Sequence, residues 1–188
     1  MFPQYSTTTT LSIFELIKSI VGKDKSFFKN IRINAVNDFH DDNLYIESCA
    51  SKISTTQQRI GKPDKLLFSF HGIPQSYICE DEPYQSQCLV TASLIAKKLN
   101  LNESQYEVAF QSRFGKAEWI KPYLSSRLEE LPKEGIHNIH VFCPGFSSDC
   151  LETIDEIGRE SKEEFFEHGG KSFELSLIHI SEPTRRLS

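Results

Sequence analysis

The chain has 188 residues, 38% of them hydrophobic and 25% charged, and a formal net charge of −5 at pH 7. This length suffices for one domain with a sizeable core, while the acidic balance argues against a nucleic-acid-binding surface and no apolar run is long enough to cross a bilayer. The start lacks the pattern of a secretory signal, and five cysteines without a C-x-x-C pair favour a reducing cytoplasm.

Helical and strand patterns alternate along the chain. Apolar spacing predicts helices at four to five places and short apolar runs predict strands between them. In chain order the prediction is a helix at 11–21, a strand at 31–36, a helix at 43–53, a strand at 65–71, a helix at 84–99, a strand at 106–112, a partly helical segment at 119–131, a strand at 136–143 and a helix at 149–168.

This order predicts an α/β fold, with a parallel sheet and helices on both of its faces. Three of the predicted strands end in turns that contain glycine, after His71, after Ser112 and at Gly145. Because ligands of such sheets bind beyond the carboxyl ends of the strands, we expect these three turns to lie together at the edge that carries the chemistry.

His71 is the first candidate for chemistry, since it ends the strand KLLFSFH and precedes Gly72. A histidine there can accept a proton near neutral pH or bind a divalent metal. The alternative is a structural histidine that is hydrogen-bonded to a loop carbonyl.

Three acids, Glu152, Glu156 and Glu160, form a row on the last predicted helix, since a spacing of four keeps side chains on one face. They could lead a hydrated cation inward, and a π-type widening would improve their alignment. Crowding is expected to raise the pKa of one of them. The alternatives are the solvated face of an amphipathic helix and, for Glu152, a capping box with Asp149.

Hydroxyl and aromatic side chains give weaker signals. Tyr5 and Ser6 precede a helix, where hydroxyls usually serve as caps. Trp119 and Phe146 could stack on a flat aromatic ligand, although core packing is the default for both. Cys150 could bind a metal, but inert packing is the favoured interpretation.

The last residues need a separate interpretation. Residues 175–185 read LSLIHISEPTR, which matches the translation of a transposase-type sequencing adapter at every codon. We therefore predict that residues 175–188 are a non-native tail and assign no function to His179.

Five segments together resemble the ferrochelatase family. They are PQYSTTTT at 3–10, LLFSFHGIPQSY at 66–77, EPYQSQC at 82–88, FQSRFGKAEWIKPY at 110–123 and CPGFSSDCLETIDEI at 143–157. The resemblance runs from Phe2 to about Glu174, and the order and spacing of these motifs are highly specific.

The resemblance implies a flavodoxin-like parallel sheet with helices on both faces, the second of two chelatase domains around a porphyrin cleft. Residues 1–25 would be the hinge segment and helix that enter the domain, and residues 26–174 the C-terminal chelatase domain, truncated at its end. The first domain and the final helix would be missing, so activity of this chain alone is not expected.

The resemblance also implies a function, the insertion of Fe²⁺ into protoporphyrin IX to form protohaem. His71 and Glu152 would be catalytic, these two with Glu156 and Glu160 would meet the metal, and Phe146, Tyr5 and Ser6 would contact the porphyrin. Iron is then a substrate, and no tightly bound cofactor is evident, although some relatives carry an iron–sulfur cluster near the missing end. The expected location is the cytoplasm, with peripheral membrane contact left open.

Two alternatives remain beside this function. One is a chelatase for another metal or tetrapyrrole, against which the QSRFG-x3-W block argues. The other is a non-catalytic fragment that binds porphyrin or iron.

Overall fold

A parallel sheet of four strands forms the centre of the computed structural model, which describes residues 2–23, 27–79 and 81–177. The strands are β1 Lys65–His71, β2 Tyr106–Gln111, β3 Asn138–Phe142 and β4 Ser172–Ser176. Their order in the sheet is β2-β1-β3-β4, and every pairing is parallel. The predicted α/β fold with a parallel sheet is therefore confirmed.

The helices fill the connections between strands. The α-helices are α1 Ser12–Lys23, α2 Asn43–Ile60, α3 Tyr84–Lys98, α4 Leu124–Lys133 and α5 Lys162–Glu167; Thr7–Leu11 and Glu152–Ser161 are π-helical, and Phe27–Asn30 and Gln75–Tyr77 form short 3₁₀ turns. We call Glu152–Ser161 the π-helix; it continues directly into α5. No helix in the described part of the chain is long and apolar enough to cross a membrane.

Helices cover both faces of the sheet, as predicted. One face packs Phe68 and Phe70 against α2 and α3. The other packs Leu67 and Val141 against α4, the π-helix and α5. Because β1 has core on both sides, its sequence is apolar without alternation, as expected of a buried parallel strand.

The connections of the sheet reverse direction between β1 and β3. The chain leaves β1 for β2 on one side and later returns to β3 on the other side of β1. In open α/β sheets a crevice forms beyond the carboxyl ends of the strands at such a switch point. His71 at the end of β1 and the turn after Phe142 therefore flank the place where a ligand is expected.

The N-terminal segment before α1 is bound to this domain by several hydrogen bonds. The Phe39 amide donates to the Pro3 carbonyl over 2.9 Å, and Gln4 Nε2 donates to Thr91 Oγ1 over 2.9 Å. The buried carboxylate of Glu82 accepts from the Thr7 amide over 2.8 Å. These bonds hold the segment that contains Tyr5 and Ser6 against α3 and its preceding loop.

One predicted element differs from the structure. The predicted strand at 31–36 is wrong, because these residues pair with no strand and Ile31, Ile33 and Val36 are about half exposed.

The segment that was predicted to be partly helical, 119–131, is helical from Leu124 onward. Residues 119 and 123 instead form isolated bridges to neighbouring segments, and a proline at 122 disfavours helical geometry in the residue before it.

Strand β4 includes two residues of the predicted foreign tail. Leu175 and Ser176 pair with β3, and Ser176 Oγ lies 2.8 Å from His140 Nε2. The sheet therefore uses these two residues, whatever their origin. His179 and the rest of the tail lie outside the described residues.

Candidate functional site

A cavity of about 470 Å³ opens at the switch point of the sheet. We call it the aromatic cavity, because ring side chains form much of its lining. The rings are Phe2, Tyr77, Tyr84, Trp119 and Phe146. His71 and Glu152 also line this cavity, so the structure brings together the two residues that were predicted to be catalytic. Its volume lies within the range of small-molecule sites.

The imidazole of His71 is held by the loop that follows it. His71 Nδ1 lies 2.7 Å from the carbonyl oxygen of Gly72. Because a carbonyl only accepts hydrogen bonds, Nδ1 carries the proton and Nε2 of the neutral ring keeps its lone pair. No partner for Nε2 exists among the described residues. The predicted structural bond to a loop carbonyl is therefore present, and it also leaves one nitrogen available for chemistry.

The ring of His71 is also positioned by its neighbours. Its centroid lies 6.3 Å from that of Trp119, and the buried hydroxyl of Tyr84 donates to the His71 carbonyl over 2.8 Å. Both contacts fix the end of β1, so the imidazole has a defined orientation beside the cavity.

Glu152 lies at the start of the π-helix. Hydrogen bonds from the Cys150 thiol and from its own amide lower the pKa of Glu152, and the protonated form of His71 acts in the same direction. Glu152 is therefore not the acid of the row whose pKa crowding was expected to raise, because donors contact its carboxylate. Glu152 is therefore a fixed negative charge at neutral pH.

The turn before the π-helix is closed by Thr153. Its Oγ1 accepts from the Cys150 amide over 3.0 Å and lies 3.4 Å from Asp149 Oδ1. A threonine hydroxyl thus caps this turn from within the helix, which leaves the Glu152 carboxylate to line the cavity.

A second cavity of about 520 Å³ lies on the outer side of the π-helix. We call it the acidic cavity, because five carboxylates line it: Glu152, Asp155, Glu156, Glu160 and Glu164. The predicted row of three acids is present here and extends by one further turn. The π-helical geometry that would improve its alignment is also present, and such geometry is frequent at functional sites.

The inner and outer acids of the row differ in their surroundings. Glu156 accepts hydrogen bonds from the Ser112 amide and the Ser112 hydroxyl, each over 2.6 Å. Glu160 is 59% exposed and lies 3.0 Å from Arg159 Nη2. Burial raises the pKa of Glu164. Among the residues that the structure describes, Glu152 alone lines both cavities.

The remaining predicted residues lie in or near the aromatic cavity. Ser6 lines it and also caps the first π-helical turn, where its Oγ accepts from the Thr8 amide. Phe146 lines it while packing partly against the core. Tyr5 does not belong to the described lining, so its role stays a prediction. Cys150 is half-buried rather than buried, and its thiol touches a candidate site residue.

Sequence reasoning missed Gln111 and Glu82, which are both buried. Gln111 donates to the Glu152 carbonyl, and Glu82 anchors the segment of Ser6. Both residues stand inside the quoted motifs, as the Q of FQSRFG and the E of EPYQSQC. The signal that could have identified Gln111 is its place as a polar residue at the end of a predicted strand.

The described residues contain one compact group of at least three metal-ligating side chains. It consists of Asp38, His40 and Asp41, whose ligand atoms lie within 4.8 Å of one another. His40 Nδ1 already lies 2.7 Å from Asp38 Oδ1, and none of the three lines the aromatic or the acidic cavity. His71 and Glu152 do not belong to this group.

The fold and the site together define a doubly wound α/β domain with an aromatic ligand cavity at the switch point and a carboxylate row leading to it. Comparison with known proteins gives the family. The ferrochelatase family model matches residues 1–178, and the chain belongs to this family.

Curated relatives from bacteria agree with this assignment. The chain is 44% identical over 172 residues to the ferrochelatase of Janthinobacterium sp. (strain Marseille), covering 92% of this chain and 46% of that protein. It is 40% identical over 183 residues to that of Pseudoalteromonas atlantica, covering 97% of this chain and 50% of that protein. It is 42% identical over 173 residues to that of Actinobacillus pleuropneumoniae, covering 92% and 52%. The chain therefore spans about half the length of the curated relatives it matches.

Proposed function

We propose that this chain forms one wall of an enzyme that inserts Fe²⁺ into protoporphyrin IX and so forms protohaem. The observation that carries the proposal is the aromatic cavity, in which His71 and Glu152 meet among aromatic side chains. Family membership supports the reaction class. The other wall would come from the half of the relatives that this chain does not span.

The reaction requires the removal of two protons. A free-base porphyrin carries two pyrrole N–H groups, and both protons leave as Fe²⁺ takes their place. His71 is suited to accept one of them, because Nδ1–H is bound to Gly72 and Nε2 is unpartnered in the described structure. The second proton can leave to solvent along the row of Glu156 and Glu160 that lines the acidic cavity. The same Nε2 can instead bind the metal, so these two roles are alternatives for one lone pair.

Glu152 is suited to meet the cation rather than the proton. Its lowered pKa makes it a weak base and a permanent anion at neutral pH. A carboxylate and an imidazole are both ligands for a divalent iron, and two ligands leave coordination positions open for the porphyrin nitrogens. We propose that Fe²⁺ passes along Glu160 and Glu156 to Glu152 through the acidic cavity.

Aromatic side chains suit the porphyrin as ligand. Phe146 and Trp119 offer ring faces and edges to a flat macrocycle, and Ser6 contributes a hydroxyl at the same cavity. We propose Tyr5 as a further contact once the second wall is present. The iron–sulfur cluster of some relatives stays an open prediction, as do the cytoplasmic location and contact with a membrane.

The test restores the missing half. The chain is joined to the first half of the Janthinobacterium relative, and loss of porphyrin fluorescence is followed with protoporphyrin IX and Fe²⁺ under anaerobic conditions. Turnover in the hybrid, together with loss of turnover in His71→Ala and retained porphyrin binding, supports the proposal. Unchanged turnover in His71→Ala removes this residue from the mechanism.

Two other functions are distinguished by the same hybrid. Faster insertion of Co²⁺, or faster reaction with coproporphyrin III, would indicate a chelatase for another substrate. Porphyrin binding without insertion of any divalent metal would indicate a binding module.

A further inference from the structure

We propose that Gln111 is a positioning residue that fixes the separation between His71 and Glu152. The inference deepens the proposed function and rests on it, since the separation matters only if both residues serve one bound macrocycle. Gln111 is the last residue of β2, is 3% exposed and does not line the aromatic cavity. Gln111 therefore acts on the aromatic cavity through its neighbours, without lining that cavity itself.

The backbone of Gln111 is attached to the loop of His71. β1 and β2 pair with His71 opposite Gln111, and the Gly72 amide donates to the Gln111 carbonyl over 2.9 Å. A Cβ atom on Gly72 would lie 3.0 Å from this carbonyl oxygen, so the two backbones are in close contact. Because the imidazole of His71 is bound to the Gly72 carbonyl, its position follows that of Gln111.

The side chain of Gln111 is attached to the π-helix. Its Nε2 donates to the Glu152 carbonyl over 2.9 Å, and its Oε1 accepts from the Ser69 hydroxyl over 2.7 Å. A carbonyl cannot donate, so the amide orientation is fixed by Glu152. One buried amide thus joins β1, β2 and the first residue of the π-helix.

A second attachment lies one turn further along the π-helix. Gln111 Nε2 lies 3.4 Å from Glu156 Oε2, and Ser112 donates to the same carboxylate with its amide and hydroxyl. Ser112 has φ 63°, a conformation that costs energy for a non-glycine residue and persists where surrounding contacts hold it. The contacts to Glu156 are such contacts.

Loss of the hydrogen bonds of Gln111 should change the reaction rate more than the binding of porphyrin. The proposed reaction needs His71 and Glu152 at a defined separation, and a misplacement of about 1 Å can cost about 100-fold in rate. Porphyrin binding depends mainly on the walls of the aromatic cavity, which Gln111 does not form, although it lines the acidic cavity. Removal of its amide is therefore expected to affect kcat much more than KM.

The experiment compares Gln111→Met with Thr56→Val in the full-length hybrid. Met keeps the approximate size of Gln111 but removes its hydrogen bonds. Thr56→Val is the control. It removes the buried Thr56 hydroxyl that accepts a hydrogen bond from Ser176, and Thr56 lines neither cavity. We expect kcat to fall about 10- to 100-fold in Gln111→Met with KM for porphyrin changed less than threefold, while Thr56→Val keeps kcat within threefold. Equal losses of kcat in both variants, or an unchanged kcat in Gln111→Met, would overturn the inference.

A crystal structure of each variant separates this inference from the proposed function. If the unsubstituted hybrid inserts no metal, the proposed function fails. The claim that Gln111 fixes the separation between His71 and Glu152 is then tested by comparing the crystal structures of the variants. A shift of the π-helix start relative to His71 by about 1 Å in Gln111→Met, absent in Thr56→Val, supports the claim. An unmoved π-helix contradicts it.

Discussion

The aromatic cavity and the acidic cavity are similar in size but opposite in chemistry. Rings from segments that are distant in sequence line the first, with one imidazole. The second is lined by five carboxylates of the π-helix and α5, together with residues at the end of β2 and the start of α4. Glu152 lines both. The difference supports our proposal that two ligands of unlike character, a flat apolar one and a hydrated cationic one, meet at one carboxylate.

In the proposed function this division also separates proton chemistry from cation chemistry. His71 Nε2 has no partner among the described residues of the aromatic cavity, while the lowered pKa of Glu152 keeps a negative charge where the cavities join. Substitutions that line the aromatic cavity should therefore impair a different step from substitutions that line the acidic cavity.

Loss of the imidazole should have the largest effect. His71→Ala in the hybrid is expected to lower kcat for metal insertion by about 100-fold or more, the usual contribution of a positioned base. His137→Ala is the matched control, because His137 Nδ1 also lies near a loop carbonyl, 3.0 Å from Gly169 O, but precedes β3 at the opposite end of the sheet. Steady-state fluorescence kinetics measures both, and equal losses would contradict a specific role for His71.

Loss of the shared carboxylate should come next. Glu152→Gln removes a charge where the cation meets the macrocycle, and we expect insertion to fall about 100-fold while porphyrin affinity changes little. Glu163→Gln removes one exposed charge from the following helix and should leave insertion unchanged. Porphyrin binding is measured by fluorescence quenching. A large loss of porphyrin affinity in Glu152→Gln would break the proposed division between the cavities.

The outer acid should matter least for the chemical step. Glu160→Gln is expected to raise KM for Fe²⁺ about two- to fivefold at low ionic strength, since an exposed charge attracts cations through a field that salt screens. Its kcat should be unchanged. Kinetics at 20 and 500 mM salt checks this expectation, and an effect that persists at high salt would indicate direct binding instead.

A pH prediction concerns the fold outside both cavities. Burial lowers the pKa of His140 to about 4 from 6.5. The unfolded chain therefore binds more protons between these values, so stability is full above pH 6.5 and falls as the pH drops toward 4. The loss is about 3 kcal/mol at most.

Urea unfolding at pH 7 and pH 4.5 measures this loss. His140→Asn should flatten the dependence on pH, and His168→Asn, an exposed control, should not. A dependence that His140→Asn leaves unchanged would place the acid sensitivity elsewhere.

Much of the fold could be predicted because the apolar runs and glycine turns of the sequence follow directly from the burial and the ends of the strands. The apolar run of β1 follows from core on both faces, and the glycine turns after His71 and before Phe146 mark the strand ends that meet at the switch point. The strand at 31–36 could not be excluded, because alternation indicates a strand only when a neighbouring strand pairs with it. In the described sheet the two edge strands are β2 and β4, and residues 31–36 pair with neither of them.

The site could be predicted only in part. His71 and the acid row have visible residue types and spacing. The connection through Gln111 has no such signal, because it depends on a side-chain amide reaching a backbone carbonyl 41 positions away. The lowered pKa of Glu152 could not be predicted for a similar reason, since the donors that contact its carboxylate are set by local geometry rather than by the number of nearby acids.

The most direct test of the account is a crystal structure of the full-length hybrid with bound free-base porphyrin. The account predicts a macrocycle in the aromatic cavity, with Nε2 of His71 facing the pyrrole nitrogens from one side and the Glu152 carboxylate facing them from the other. A porphyrin bound elsewhere, or one that leaves either side chain out of reach of its centre, would contradict the account.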